Sequence, residues 1–348
     1  MVKIGITMKI IEESEFKNAV EKTLSKIGNF RWEINQETPY RDGHVDSIGN
    51  LSVGNKNKKL HLEFKSNGEP RAIAEYVGRL GDRSKDEFYP ILVAPYISGR
   101  GMDLCERSNI GCIDLTGNVY IKFDNVFISF LGNENKYQTR RKQKNLFSQK
   151  SYWVIRCMLN EPKREWTMQE LSNNSFVSLA QVYKVLNGLE SDNFVKKKRG
   201  AIKLSDPSGL LDELAAFYRY DDQKIIGYYS PFKGYDQIFP KLREISEADY
   251  AVTLGAAAQL ILPAVRSTDV YLYVRDIGRI KNALELEPVE FGGNVYLISP
   301  KDDGILRSVQ SVEGIKVVSN LQLYLDLYNY PQRGREQADA IREKILGV

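Results

Sequence analysis

A basic segment without a single acidic residue divides the chain into parts with different sequence patterns. Between Lys136 and Lys150 there are six lysine or arginine residues and no aspartate or glutamate. The 348 residues exceed what one hydrophobic core usually organises. We therefore interpret the segment as a linker between domains, although its composition alone fits an ordinary solvated connector equally well. The predicted division is a domain at 1–135, a linker at 136–147, and domains at 148–206 and 207–348.

The part before the linker has the pattern of one α/β domain. Apolar residues recur at helical spacing in one segment, and strand-like runs with turn residues between them follow. The predicted elements, in order, are helix 14–27, strands 30–35, 45–53 and 59–66, helix 70–80, strand 90–96, helix 98–107, strand 111–115 and a hairpin at 119–130. The polar residues 54–58 are predicted to connect the second and third strands.

The part after the linker has the pattern of a winged helix-turn-helix. A first helix is predicted at 148–160, and Thr167 with Glu170 three residues later is a capping box that begins a second helix. A third helix begins at Ser178, and its inward face is predicted to hold Val182, Val185, Leu186 and Leu189. A hairpin with a basic turn at 196–200 completes the pattern.

The outward side chains of this predicted module suit DNA. In such a module the second helix of the helix-turn-helix pair lies in the major groove, and the wing lies along the backbone. Amide side chains can pair with adenine, and lysine with guanine or phosphate. The candidate DNA-binding residues are Arg140, Arg141, Lys142 and Lys144 in the linker, Ser178, Gln181, Tyr183, Lys184 and Asn187 in the helix, and Lys196, Lys197, Lys198, Arg199 and Lys203 in the wing. A module used only for packing or dimerisation is the alternative.

The remaining residues have a second α/β pattern. The predicted elements are a bridging helix at 210–218, a helix at 235–245, small residues at 255–258 leading into a helix, strand 270–274, helix 277–284, strand 295–299 and a terminal helix at 336–346. The fold class we expect is therefore a multidomain α/β (α+β) protein.

A carboxylate and a lysine lie on one face of the third predicted strand. Glu63 and Lys65 are two residues apart, and the neighbouring strand carries Asp46 near its start. This arrangement, in this order of elements, is similar to the PD-(D/E)xK nuclease core, which is the restriction-endonuclease-like fold. There, two carboxylates hold Mg²⁺ and the lysine helps to activate water. Glu13, Glu21 or Glu33 could add an acid, and an inactive scaffold with paired charges is the alternative.

Four separated segments resemble the AbiEi family, which comprises antitoxin-like transcriptional regulators of type IV toxin–antitoxin systems. The resemblance is closest to its longer members, which have a nuclease-like N-terminal domain. The segments are VAPYISGRG (93–101), GCIDLTGNVYI (111–121), LFSQKS (146–151) and QLYLDLYNYPQRGREQA (322–338). The resemblance implies a winged helix that represses its own promoter and a toxin partner of nucleotidyltransferase type.

The C-terminal part resembles a nucleotidyltransferase-like fold in outline. An active enzyme of that type needs Gly-Ser followed by an Asp-x-Asp pair that holds magnesium. Here the phrase is Leu254-Gly255-Ala256, and the strand is Asp269-Val270-Tyr271-Leu272-Tyr273. Serine is missing and tyrosines take the acid positions, so we expect a non-catalytic domain for dimerisation or partner contact.

Composition excludes several other functions. The three cysteines form no CxxC pair, which excludes a cysteine zinc site. With only two histidines, the sequence argues strongly against a histidine-based catalytic centre. Without a run of transmembrane length, the expected location is the cytoplasm. We expect a DNA-binding regulator without a cofactor. The alternatives are an Mg²⁺-dependent DNA endonuclease and a scaffold that neutralises a toxin. The expected partners are double-stranded DNA, a nucleotidyltransferase-type toxin and a second copy of the chain.

Overall fold

A computed structural model describes residues 13–33, 47–80, 88–137, 149–218, 224–245, 250–262, 269–300, 304–331 and 334–348. The chain forms two compact units. One comprises Met1–Lys144 with Asn187–Asn193, and the other comprises Asn145–Leu186 with Phe194–Val348. The architecture is mixed α/β, as expected from the sequence. In the described ranges no helix has both the length and the apolar composition needed to cross a bilayer.

The first unit is built around a seven-stranded sheet whose strands follow one another in chain order. Strands β3, β4 and β5 are parallel, and the remaining neighbours are antiparallel. The elements are α1 (Glu13–Leu24), β1 (Asn29–Trp32), β2 (Ser47–Val53), β3 (Lys56–Phe64), α2 (Pro70–Leu80), β4 (Tyr89–Ala94), α3 (Gly99–Arg107), β5 (Gly111–Asp114), β6 (Val119–Phe123) and β7 (Val126–Phe130). The predicted order of helix, three strands, helix and strand is confirmed.

Helices cover both faces of this sheet. One core joins Phe16 and Val20 of α1 to Ile91 of β4, and a second core joins Ile73 of α2 to Leu92 of β4. All six residues of β4 are buried, because consecutive side chains point to opposite faces and each face packs on helices. That is why this strand is a continuous apolar run in the sequence.

The connection between β2 and β3 is shorter than predicted. Val53 pairs with Lys56, so the turn contains only Gly54 and Asn55 rather than residues 54–58. Gly54 has φ +57°, a conformation that glycine adopts without a steric penalty. The lysines that suggested a long polar loop lie instead on the exposed first half of β3.

The second unit begins with three helices and a hairpin, which we name the helix–hairpin module (149–204). Its elements are α4 (Gln149–Asn160), α5 (Met168–Ser175), α6 (Leu179–Ser191), β8 (Val195–Lys198) and β9 (Ala201–Leu204). The last turn of α6, from Asn187, belongs to the first compact unit. The predicted capping box is present, with the Thr167 side chain and the Glu170 backbone and carboxylate bonded reciprocally. Trp166, just before α5, also pairs with Ile202 of β9.

Two details of the module can be compared with the sequence prediction. The predicted inward face of α6 is confirmed, since Val182, Val185, Leu186 and Leu189 are all buried. The predicted five-residue basic turn is wrong, because β8 extends through Lys198 and the turn contains only Arg199 and Gly200. Gly200 has φ +78°, as a tight turn at this point requires.

The rest of the second unit is an α/β structure around another seven-stranded sheet. Its strand order is β13-β10-β14-β12-β11-β16-β15. The elements are α7 (Pro207–Phe217), β10 (Lys224–Tyr229), α8 (Gly234–Arg243), β11 (Tyr250–Thr253), α9 (Leu254–Ile261), β12 (Val270–Val274), α10 (Ile277–Ala283), β13 (Glu287–Pro288), β14 (Val295–Ser299), α11 (Gly304–Arg307), β15 (Gln310–Val312), β16 (Ile315–Val317), α12 (Asn320–Tyr328) and α13 (Gly334–Ile341), which a π-helical turn (Arg342–Leu346) extends.

Candidate nucleic-acid interface

Helix α6 presents a compact set of exposed side chains near its beginning. The helix starts after Phe176, whose φ of +55° reverses the chain, and after the buried Val177. The exposed positions are Ser178, which directly precedes the helix, and Leu179, Ala180, Tyr183 and Lys184 in its first two turns. Two of the predicted base-contacting residues, Gln181 and Asn187, are only half-exposed. The exposed part of the helix therefore has fewer amide groups and more apolar surface than the sequence suggested.

The hairpin of the module concentrates positive charge. Lys196, Lys198 and Arg199 are exposed, while Lys197 and Lys203 are half-buried. Lys196 lies directly opposite Lys203 in the β8–β9 pair. Two like charges at directly opposed positions repel each other. An anion bound near Lys196 and Lys203 would reduce this repulsion.

A cation–π contact links the hairpin to α6. Nζ of Lys197 on β8 lies 5.6 Å from the centroid of the Tyr183 ring on α6. At this distance an ammonium group is attracted by the face of an aromatic ring. The contact places the exposed tyrosine beside the basic hairpin, so helix and hairpin present one surface.

Acidic residues are absent from the two stretches that form this surface. Neither 177–189 nor 193–205 contains aspartate or glutamate, whereas together they contain Lys184 and the five basic residues of the hairpin. A cluster of one sign of charge creates a local potential that the net charge of +4 for the whole chain does not reveal. The predicted linker contacts Arg140, Arg141, Lys142 and Lys144 lie outside the described residues.

Glu63 and Lys65, the predicted pair in the first unit, are brought together. Lys65 Nζ lies 2.6 Å from Oε1 of Glu63, a carboxylate that is 7% exposed. Arg79 of α2, which the sequence did not suggest, also donates to Glu63 Oε1 at 2.8 Å. The third predicted residue, Asp46, lies outside the described residues.

The surroundings of Glu63 are unfavourable for a divalent cation. Lys65 and Arg79 both bind Oε1 of Glu63, and their positive charges repel Mg²⁺ at that point. Mg²⁺ also requires several oxygen ligands. Among the described residues no group of three or more His, Cys, Asp or Glu could hold a metal. Glu33 is held by Asn50 at 2.8 Å and Lys59 at 3.1 Å, contacts that lower its pKa. The described side chains do not by themselves fit Mg²⁺.

A buried carboxylate that sequence reasoning missed lies on α12, against the C-terminal sheet. Asp326 of α12 is fully buried, and it accepts hydrogen bonds from Thr253 at 2.6 Å and from Tyr273 at 3.0 Å. Tyr218 and Gln322 also donate to it, at 2.6 and 2.7 Å. Burial raises the pKa of Asp326. Four donors around an enclosed carboxylate form a structural connection between β11, β12, α12 and the end of α7.

Tyr271 on β12 is one of the two tyrosines that the sequence resemblance placed at the acid positions of a nucleotidyltransferase-like strand. Tyr271 stacks on Tyr296 with ring centroids 4.5 Å apart, and its hydroxyl accepts from Tyr330 at 3.0 Å. Burial raises the pKa of Tyr271. Phenol groups held by stacking and by a hydrogen bond in this way supply no metal-binding oxygens comparable to a carboxylate pair.

One family model matches part of the chain. Residues 203–347 match the model of AbiEi_2, described as a transcriptional regulator and AbiEi antitoxin of a type IV toxin–antitoxin system. Of the four resembling segments, 322–338 lies within this match. No curated protein matches the chain. A crystal structure of a repair endonuclease from Pyrococcus abyssi is similar over 31% of this chain, with 23% identity and a TM-score of 0.23. The similarity spans 49% of that protein, about half its length.

Proposed function

We propose that the chain is a sequence-specific DNA-binding transcriptional regulator of the AbiEi antitoxin type, and that the helix–hairpin module is its winged helix-turn-helix. The observation that carries the proposal is the surface formed by the first two turns of α6 and the β8–β9 hairpin. Most of its basic side chains are exposed, and the stretches 177–189 and 193–205 that form it contain no acidic residue. Helix α6 would lie in the major groove, and the hairpin would contact phosphates.

The family match supports the regulatory part of the proposal. It starts at Lys203 in β9 and continues through the C-terminal sheet, so it lies almost entirely outside the DNA-contacting surface. An antitoxin implies a toxin, and we propose a nucleotidyltransferase-type toxin as the protein partner. The C-terminal α/β structure, with tyrosines in place of acids, is the part we assign to partner contact. We further propose that a homodimer binds two half-sites, as winged-helix regulators often do.

A mobility-shift experiment tests DNA binding. The full chain would be titrated onto a labelled fragment from upstream of its own gene and onto a scrambled fragment of equal length, at low and physiological salt. We expect a shift of the upstream fragment that survives excess scrambled competitor. Absence of any shift at low salt would refute the proposal, and equal affinity for both fragments would refute its sequence specificity.

A DNA endonuclease directed by the module is the second candidate function. It is motivated by the closeness of Lys65 to Glu63 at the end of β3. It requires the ion pairs of Glu63 with Lys65 and Arg79 to open before Glu63 can bind Mg²⁺. The residues assigned to it are Asp46, Glu63 and Lys65, and Mg²⁺ would supply the activated water if Asp46 completes the ligand set. Supercoiled plasmid with Mg²⁺ or Mn²⁺ tests this function. Metal-dependent nicking by the parent that is lost in Lys65→Ala is the expected result, and equal cleavage by both proteins would assign the activity to a contaminant.

The remaining alternative is a scaffold that neutralises a toxin without binding DNA. It differs from the leading proposal in one measurable respect, because a scaffold would act without any contribution from the exposed basic residues of the hairpin. Co-purification of the neighbouring gene product with a parent chain and with a Lys198→Ala/Arg199→Ala variant would distinguish them. Toxin capture by both, with no DNA shift by either, is the result that would favour the scaffold.

A further inference from the structure

The exposed face of α6 contains two large apolar side chains one helical turn apart. Leu179 is 44% exposed and Tyr183 is 54% exposed. Positions i and i+4 of a helix are neighbours on the same face, so the two side chains form one apolar stripe. Ala180, also exposed, extends it. We name Leu179 and Tyr183 the apolar pair.

The surroundings of the apolar pair favour DNA as its partner. Lys184 is exposed on the same helix, and Lys197 places its ammonium group 5.6 Å from the Tyr183 ring centroid. With no acid in either stretch that forms this surface, its charge complements a polyanion. These lysines would not strengthen binding to an uncharged protein surface.

Base recognition through hydrogen bonds has few groups available on this face. The amide side chains best suited to adenine, Gln181 and Asn187, are half-buried, which leaves Ser178, Lys184 and the hydroxyl of Tyr183 as the polar groups on exposed side chains. Apolar contact is therefore the main chemistry that the first two turns of α6 offer. In the major groove the apolar group on the base edges is the C5-methyl group of thymine.

We infer that Leu179 and Tyr183 contact thymine methyl groups and so determine specificity for A·T pairs at the positions beneath α6. This inference rests on the proposed DNA-binding function and specifies what that surface recognises. Lys197 acts as a positioning residue, because its contact with the ring restricts the directions that the Tyr183 side chain can take.

Replacement of thymine by uracil tests the inference directly. The upstream fragment would be amplified with either dTTP or dUTP, which gives duplexes of the same sequence and charge that differ in the methyl groups. We expect the full-length parent to bind the uracil fragment more weakly, by about fourfold for each methyl group that the apolar pair desolvates. Two such contacts give about a sixteenfold difference in Kd.

Variants separate direct contact from an effect of the methyl groups on DNA shape. In Leu179→Ala and Tyr183→Ala the ratio of the two affinities should fall towards one, because the side chain that contacts the methyl group is gone. Both residues are exposed, and matching thermal melting curves would show that the variants fold. Phe291→Ala removes an aromatic ring that is 90% exposed outside the module, and it should keep the ratio of the parent.

The possible outcomes are distinct. Equal affinity of the parent for both fragments would overturn the inference while leaving DNA binding intact, and the apolar pair would then be free for a protein partner. A ratio that stays unchanged in both alanine variants would also overturn it, because DNA shape would then explain the difference. Failure to bind either fragment at low salt would refute the proposed function itself.

Discussion

Nη1 of Arg156 on α4 donates a hydrogen bond of 2.6 Å to Oε1 of Gln322 on α12. Nη2 of the same guanidinium donates to Ser319 at 3.3 Å. Arg156 is only 3% exposed, so these acceptors replace the water that the charge loses on folding. Gln322 in turn donates to Asp326 at 2.7 Å. The first helix of the helix–hairpin module is thus tied to the buried carboxylate of the C-terminal sheet through one glutamine.

Removal of this guanidinium is expected to cost more stability than removal of an exposed one nearby. Arg156→Leu should lower the free energy of unfolding by about 1.5–3 kcal/mol, the usual contribution of hydrogen bonds to a charged group. Arg307→Leu is the matched control, since that exposed guanidinium contacts the Trp153 and Phe176 rings and should cost less than about 1 kcal/mol. Urea unfolding measures both. Equal losses would show that the buried connection contributes no more than the exposed contact.

Two glycines of α3 should respond to alanine with opposite signs. A Cβ at Gly101 would lie 2.8 Å from the Ile97 side chain and 2.9 Å from that of Ile73, both buried. Such overpacking typically costs about 1–3 kcal/mol. A Cβ at Gly99 would meet no atom within 4 Å, and alanine in a helix is favoured over glycine by up to about 1 kcal/mol. Thermal melting of Gly101→Ala and Gly99→Ala tests this pair, and a stable Gly101→Ala protein would contradict it.

Local sequence patterns predicted best the helices and strands in which apolar and polar positions alternate regularly. Helix α6 was recognisable because its buried residues recur at helical spacing, and the strands Val270–Val274 and Val295–Ser299 were predicted with their observed bounds. Helix α12 was missed because every residue from Leu321 to Leu327 is buried. A helix enclosed on all sides has no periodic contrast between apolar and polar positions. Pairing with β9 also extends β8 through Lys196, Lys197 and Lys198, which the sequence pattern had assigned to a turn.

The candidate interface was predictable in location and less so in detail. The basic residues of the hairpin could be identified from composition, and most lie in solvent. Leu179 was missed because an apolar residue in a helix is ordinarily assigned to the core, whereas here it is 44% exposed. Arg79 was missed as a partner of Glu63 because the two lie on different elements, sixteen residues apart in sequence. The signal for Asp326, one acid within the apolar run 321–327, was present in the sequence.

The pH dependence of stability should include a contribution from His61. Burial, and then Lys59, lower the pKa of His61 from the ordinary 6.5 to about 4. Between these values the unfolded chain binds a proton that the folded chain excludes, so the free energy of unfolding falls as the pH decreases through this window. His61 stacks on Phe88 with ring centroids 3.3 Å apart, a contact that leaves little room for hydration of a charged ring.

A His61→Leu variant removes this contribution, because leucine binds no proton at any pH. Between pH 7 and pH 5 the urea midpoint of the variant should fall less than that of the parent. The comparison is made within each protein, so a uniform change in stability caused by the substitution does not affect it. Equal falls in the two proteins would show that His61 titrates normally in the folded chain.

Salt dependence measures how many phosphates the hairpin contacts. Five contacts, from Lys196, Lys197, Lys198, Arg199 and Lys203, give a slope of about −4 to −5 in a plot of log binding constant against log salt concentration. Lys198→Ala/Arg199→Ala removes two exposed cations at the tip, so the slope should become less steep by about 1.8. Lys233→Ala, an exposed lysine outside the module, should leave the slope unchanged. Parallel plots for the parent and the double variant would mean that the hairpin tip does not touch the backbone, and the phosphate contacts of the hairpin would then be limited to Lys196, Lys197 and Lys203.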